Sequence, residues 1–376
     1  MKIFIVNPGM VNDYVYELAT SMHKNGNIVY VYGSDDYEER SKNFFNFNYY
    51  NYFFKVENIK IRSLKRLIKG TLYIFLQFYL LKEVIKEKPK VIHIQWSRIP
   101  LLDKFFLFFF KRYSSVVFTL HNTTNNHGDK SFLVSLLSLG YHQLLKEFEC
   151  IIVHTNYSKK KLLSDYPDLS SKIKVIPHGM LRFPKKIKNE LNLSFNSSNV
   201  LLFFGNIQYY KGLDILIEAM DLLKDLDITL LIAGKSNIPL QPLKQRANDL
   251  SLEKKIHWHT FFIKDRNVEE IYDYCDFVIL PHRHIDQSGI LMSAIQFGKP
   301  VVATDIGGFS EIIEDGKQGF LFKKEDPVDL SRAIRKIIDA NKSLKLDNNM
   351  SLLRDSWKTW HQIASTTMNI YKTLID

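Results

Sequence analysis

A chain of 376 residues has room for about two domains, and 45% hydrophobic with 24% charged residues is the balance of a globular protein, not of a disordered one. The net charge of +11 suits an anionic partner such as a nucleotide phosphate, a nucleic acid or an acidic membrane face, without choosing among them. With Cys150 and Cys275 as the only cysteines, no disulfide framework or Cys-based metal site is available, and each adjoins an apolar run that suits a buried thiol.

The opening Met1–Gly9 (MKIFIVNPG) is too short an apolar run for a signal peptide and reads as a first strand. No apolar stretch approaches the ~20 residues of a membrane span. The densest, Phe105–Phe110, is bracketed by Lys104 and Lys111. The expectation is a cytoplasmic protein, soluble or peripheral on the inner face of the membrane. Short runs rich in β-branched and aromatic residues predict strands at Lys2–Val6, Ile28–Tyr32, Val91–Gln95, Ser115–Leu120, Cys150–His154 and Lys174–Ile176. A second series follows at Val200–Phe204, Ile228–Ala233, Ile256–Thr260, Phe277–Leu280, Pro300–Thr304 and Gly319–Phe322. Helical patterns such as Leu213–Leu223 and Val268–Cys275 alternate with them, so the fold class is α/β with parallel, doubly wound sheets.

The polar, irregular segment Leu181–Asn199 separates the two series. The expected domains are residues 1–185 and 186–355, with 356–376 as a terminal helix. Ligands of such sheets bind beyond the carboxyl ends of the strands, so a cleft between two such edges is the expected site. Trp357, Trp360, Ile363, Met368 and Tyr371 recur at roughly helical spacing within Leu352–Ile375. That helix either packs in the second domain's core or crosses back to brace the first.

Three stretches carry chemistry. In Phe203–Asp214 a strand ends at Phe204, Gly205 permits a tight turn, and Lys211 stands just before a helix, where a lysine can meet a diphosphate as a point charge. A surface lysine beside a turn has the same local signature. In His284–Thr304, Ser288-Gly289 stands where a helix begins, so its free amides can hold anionic oxygens, although an ordinary N-cap at Ser288 also satisfies the pattern. Gln287, Ser288 and Ser293 can hydrogen-bond ribose or sugar hydroxyls. Asp305–Glu311 places paired glycines after a strand and a carboxylate at a helix start.

In this order the stretches resemble the family 4 glycosyltransferases of the GT-B fold. The pattern is G-x-x-x-x-x-K-G-x-D, then G-K-P-V-V-A-T-D-x-G-G and E-x-I-x-D-G-x-x-G, supported by Val175–Gly179, Val153–Ser158 and Thr119–Asn122. The resemblance implies two Rossmann-like domains and a returning C-terminal helix near Trp360. It implies that Lys211 holds the donor diphosphate with Gly205 and Asn206 in the turn beside it, and that Ser288, Gly289 and Ile290 cradle phosphate and sugar. Gly234, Thr260 and Phe261 then lie near the nucleotide base. On the acceptor side it implies His121 and Asn122, with Gly9, Met10, Val11 and Asn12 from the loop Pro8–Asn12. The paired glutamates common in the family are replaced by Ile285 and Ser293, as in a subset with a Q-S-G-[VI]-L motif, and the family's frequent arginine is replaced by Asn206.

The implied reaction is retaining: a sugar moves from a nucleoside-diphosphate sugar to a lipid-linked saccharide of a bacterial surface polysaccharide. His121 and Lys211 are its catalytic candidates, and no metal or other cofactor is needed. The missing glutamates leave open a non-catalytic partner in a glycan assembly complex. A nicotinamide enzyme is disfavoured because Asn7–Asn12 lacks G-x-G-x-x-G. Basic and apolar residues recur at helical spacing through Lys60–Lys90 and Arg98–Tyr113, a pattern that fits either a face on anionic lipid or a core with a solvated basic rim. No nucleic-acid module accompanies the charge.

Overall fold

The computed structural model describes residues 1–10, 13–34, 48–53, 62–123, 139–184, 190–344 and 346–376. The chain divides into two compact units, Met1–Gly179 with Lys358–Asp376, and Met180–Trp357.

The first unit is built on a parallel sheet of β1 (Lys2–Met10), β2 (Ile28–Ser34), β3 (Asn48–Phe53), β4 (Val91–Ile94), β5 (Ser115–Thr119), β6 (Cys150–Val153) and β7 (Ile173–Val175). Its strand order is β3-β2-β1-β4-β5-β6-β7. β4 and β6 are buried along their whole length, as expected of strands covered on both faces. Two expectations need correction. β1 runs on to Met10 with a register break after Val6, so Pro8, Gly9 and Met10 extend the strand instead of opening a loop. Val11 and Asn12 lie outside the described residues. β3 was not anticipated, because Asn48–Phe53 (NYYNYF) has no apolar alternation. Aromatic contact with β2 compensates: the Tyr50 ring stacks on Tyr32 at 5.1 Å and on Tyr30 at 6.0 Å.

The second unit carries β8 (Asn199–Phe204), β9 (Ile228–Ala233), β10 (Ile256–His259), β11 (Phe277–Leu280), β12 (Val301–Thr304) and β13 (Gly319–Phe322). They pair in parallel in the order β10-β9-β8-β11-β12-β13. The order reverses between β8 and β11, the switch point at which doubly wound sheets bind ligands.

The terminal segment is two helices, not one. Leu346–Ser356 ends before Trp357, which packs in the second unit's core. Thr359 and Gln362 then form a capping box that starts Trp360–Ile375. That helix lays Trp360, Ile363, Ala364, Met368 and Tyr371 into the core of the first unit with Ile3, Tyr14 and Val117. Cys150 and Cys275 are buried free thiols, their pKa values pushed up by burial to about 11 and about 12.

Candidate active site

In the second unit the chemistry gathers at the carboxyl ends of β8 and β11. Gly205 leaves β8 at φ +90°. A methyl group there would sit 2.9 Å from Lys211 Nζ and 3.1 Å from Ile290 Cδ1, so one point joins the turn, the lysine and the start of the helix Gly289–Gln296. Gly234, at φ +136°, packs its backbone against Gly205, where a methyl would lie 2.7 Å from the Gly205 carbonyl carbon. Both positions therefore require glycine.

Lys211 closes the short helical turn Tyr209–Lys211 and is 5% exposed. Its Nζ donates to Phe204 O at 3.4 Å, and among the described residues no carboxylate forms a salt bridge with it. Burial lowers its pKa from 10.5 to about 8, so it is mostly an ammonium at neutral pH. A buried cation without a counter-charge is costly and favours an anion beside it. The helix start contributes here as well. Ser288 Oγ accepts from Leu291 N at 3.2 Å, while the Gly289 and Ile290 amides are among those a helix start leaves without an intrahelical partner.

The other expected donor residues differ in how they are presented. Asn206 is exposed, Gln287 and Thr260 are half-buried, and Phe261 is exposed after β10 with its ring 4.6 Å from that of His259. Ser293 is buried, and its hydroxyl donates to Gly289 O at 3.0 Å, within its own helix.

Two residues escaped the sequence reading. Arg283 clamps the lysine turn: Nη1 and Nη2 donate to the Asp214 carboxylate at 2.9 and 2.6 Å, and Nη1 also donates to Tyr209 O at 2.8 Å. Its guanidinium lies 4.1 Å from the Tyr209 ring centroid. Asp214 of the K-G-x-D pattern was the available signal, but its partner lies 69 positions away. His282 follows β11 as a buried ring whose Nδ1 has no hydrogen-bond partner among the described residues. Burial and then Lys211 lower its pKa to about 3, which keeps it neutral. Arg283→Ala is expected to cost about 1 kcal/mol of stability, since the pair is partly exposed. The turn it holds also carries Lys211, so uridine diphosphate affinity should fall as well, by less than in a Lys211 variant. Calorimetric titration and a melting curve check both.

The first unit has its own polar cluster at the carboxyl ends of β4, β5 and β6. The Tyr14 ring lies 5.0 Å from those of His121 and His154, 5.1 Å from His178 and 5.4 Å from Trp360. The Trp96 indole stacks on His121 at 5.6 Å. Asn122 is half-buried beside His121. Gly9 and Met10 belong to the end of β1. Among the described residues no group of three or more His, Cys, Asp or Glu is placed to hold a metal ion.

Comparison with known proteins agrees with the fold. Residues 11–180 match the family described as Glycosyltransferase Family 4, and residues 185–351 match Glycosyl transferases group 1. The chain belongs to these glycosyltransferases. A D-inositol 3-phosphate glycosyltransferase of Corynebacterium jeikeium is 26% identical over 259 residues, 62% of this chain and 59% of that protein. An uncharacterized glycosyltransferase of Methanocaldococcus jannaschii is 24% identical over 241 residues, 60% of this chain and 61% of that one. The chain thus spans about three fifths of the length of these relatives. Among solved structures, sucrose-phosphate synthase from Thermosynechococcus elongatus aligns with a TM-score of 0.76 at 15% identity, covering 100% of this chain and 99% of that one. Anabaena HepE, solved in complex with UDP and glucose, aligns with a TM-score of 0.74 at 17% identity, covering 99% and 100%. The fold is that of the GT-B glycosyltransferases.

Proposed function

We propose that this glycosyltransferase moves a hexosyl group from a nucleoside-diphosphate sugar, with retention of configuration, to a lipid-linked saccharide in the assembly of a bacterial surface polysaccharide. The observation that carries the reading is Lys211: a buried ammonium with no carboxylate partner among the described residues, beside a glycine turn and a helix start at the switch point. In the transfer, the bond from the anomeric carbon to the diphosphate oxygen breaks and a bond to the acceptor oxygen forms on the same face. The acceptor's proton ends on the departing phosphate. Lys211 and the Gly289 and Ile290 amides offset the charge that develops there, in a step assigned without a metal. His121 contacts the transferred sugar, and Phe261 offers an exposed ring for the base. Titration with a panel of nucleoside diphosphates tests donor binding. Proton NMR of the product from a matching nucleotide sugar reads the anomeric configuration, and an inverted product would overturn the retaining assignment.

The lipid-linked acceptor rests on a second observation. Asp103 is buried and accepts from Tyr73 Oη at 2.6 Å, Gln77 Nε2 at 2.9 Å and Ser97 Oγ at 2.5 Å, which ties together the helices Arg62–Glu87 and Pro100–Phe110. Their outer faces leave Phe75, Phe105 and Phe108 67%, 55% and 59% exposed, and the Arg112 guanidinium lies over the Phe108 ring. Exposed aromatics with bordering cations are the composition of an interfacial face. Among the described residues no helix is long and apolar enough to cross a membrane, so this face would lie on the lipid. Flotation is expected with vesicles containing phosphatidylglycerol and is expected to be lost in the triple variant F75S/F105S/F108S. Equal flotation of that variant, or none of the parent chain, would remove the membrane from the reading.

A further inference from the structure

Two histidines of the first unit, His121 and His154, form a hydrogen-bond chain whose direction is fixed at one end. His154 Nδ1 lies 3.0 Å from the Ile176 carbonyl, which can only accept, so Nδ1 carries the proton. Burial lowers the His154 pKa to about 3, so the ring is neutral and its Nε2 is bare. That bare nitrogen lies 3.2 Å from His121 Nδ1, which must then be the donor. His121 is itself held well below the usual histidine range, by burial first and by His154, His178 and His93 next. Its Nε2 is therefore also bare.

The far end of the chain supplies an independent observation. His121 Nε2 lies 3.0 Å from Gln95 Oε1, which would set two acceptors against each other, while the buried Gln95 Nε2 has no partner among the described residues. Turning the amide over ends the acceptor clash, with the NH2 group donating to His121 Nε2. The neighbouring histidines have partners of their own. His93 bonds Thr119 Oγ1 at 2.6 Å and Tyr371 Oη at 2.5 Å, and His178 Nδ1 bonds Gly179 O at 2.6 Å.

We propose that His154 is a positioning residue that locks His121 in the neutral Nδ1–H tautomer through the chain Gln95–His121–His154–Ile176. His121 then meets a ligand as a neutral ring, neither a cation nor an acid. The catalytic relevance of this lock rests on the proposed role of His121, but the lock itself does not.

Free imidazole side chains in water favour the opposite, Nε2–H form, so the tautomer is diagnostic. In the full chain labelled with ¹⁵N-histidine, two-bond ¹H–¹⁵N correlations at neutral pH are expected to show His121 with a protonated Nδ1 and a bare Nε2. His154→Leu removes the acceptor and should return His121 to Nε2–H. His154→Gln puts an amide oxygen near the lost Nε2 and should retain Nδ1–H. An Nε2–H or doubly protonated His121 in the unaltered chain overturns the proposal even where a variant fails to fold, as does a His154→Leu spectrum unchanged at His121. If the tautomer is as expected but no nucleoside diphosphate binds, the functional reading fails and the lock stands.

Discussion

Lys211→Met is expected to weaken nucleoside diphosphate binding by about 30- to 150-fold, the ~2–3 kcal/mol of a charge-assisted contact to a buried ammonium. The same substitution is expected to raise the melting temperature of the ligand-free protein. Burial takes the Lys211 pKa from 10.5 to about 8 in the folded state. Below pH 8 both folded and unfolded chains hold the proton, and the folded one bears a penalty of about 3 kcal/mol, the free-energy equivalent of that shift. Between pH 8 and 10.5 the unfolded chain binds more protons, so stability rises with pH and the penalty fades. The advantage of the methionine variant should accordingly be full at pH 7 and absent near pH 10.5. Affinity for uridine diphosphate in the parent chain should run the other way, falling as pH climbs above 8 and the ammonium is lost. Calorimetry and melting curves across that range read both trends. Unchanged affinity in the variant would detach Lys211 from the phosphate. The opposite signs separate a functional charge from a structural one, since a lysine kept for stability would not stabilise the fold by leaving.

How far the sequence could be read depended on how local each signal was. All six strands from β8 to β13 lie within a residue of their expected bounds, and β8, β9, β11 and β12 are short apolar runs ended by Gly205, Gly234, Pro281 and Asp305, because burial on both faces leaves its mark in composition. Gly205, Lys211 and the helix start at Ser288 were legible for the same reason: a positive φ, a turn lysine and an N-cap each sit in the segment between a strand end and the next helix. What could not be read is pairing over long separations. Arg283 grips Asp214 across 69 positions, and the chain from Gln95 to Ile176 draws on the ends of β4, β5, β6 and β7. β3 was invisible because its stability comes from tyrosine stacking on a neighbour and not from its own pattern. The terminal helix left two readings open, since Trp357 and Trp360 have the same spacing signal yet pack in different cores.

The most distinctive of those contacts gives the second large effect. Trp360 is buried against Tyr14, His178 and Gly179 at the start of the helix that covers the first sheet. Trp360→Ala is expected to destabilise by about 3–5 kcal/mol, the cost of emptying a large aromatic site. Gly179 faces the flat of the indole: a methyl there would lie 2.6 Å from Cζ2 and 2.7 Å from Cδ2 of Trp360. Its φ lies outside the left-handed region, so the backbone accepts an L-residue and only the ring objects. Gly179→Ala alone should therefore cost about 1–3 kcal/mol by overpacking. In the Trp360→Ala background the added methyl meets a vacated site, and its cost should vanish or change sign. The double-mutant cycle, read by urea denaturation, is expected to show a coupling of similar size to the single Gly179 effect. Additive costs would mean that the indole does not occupy this place, and the terminal helix would then lose its assigned seat on the first unit.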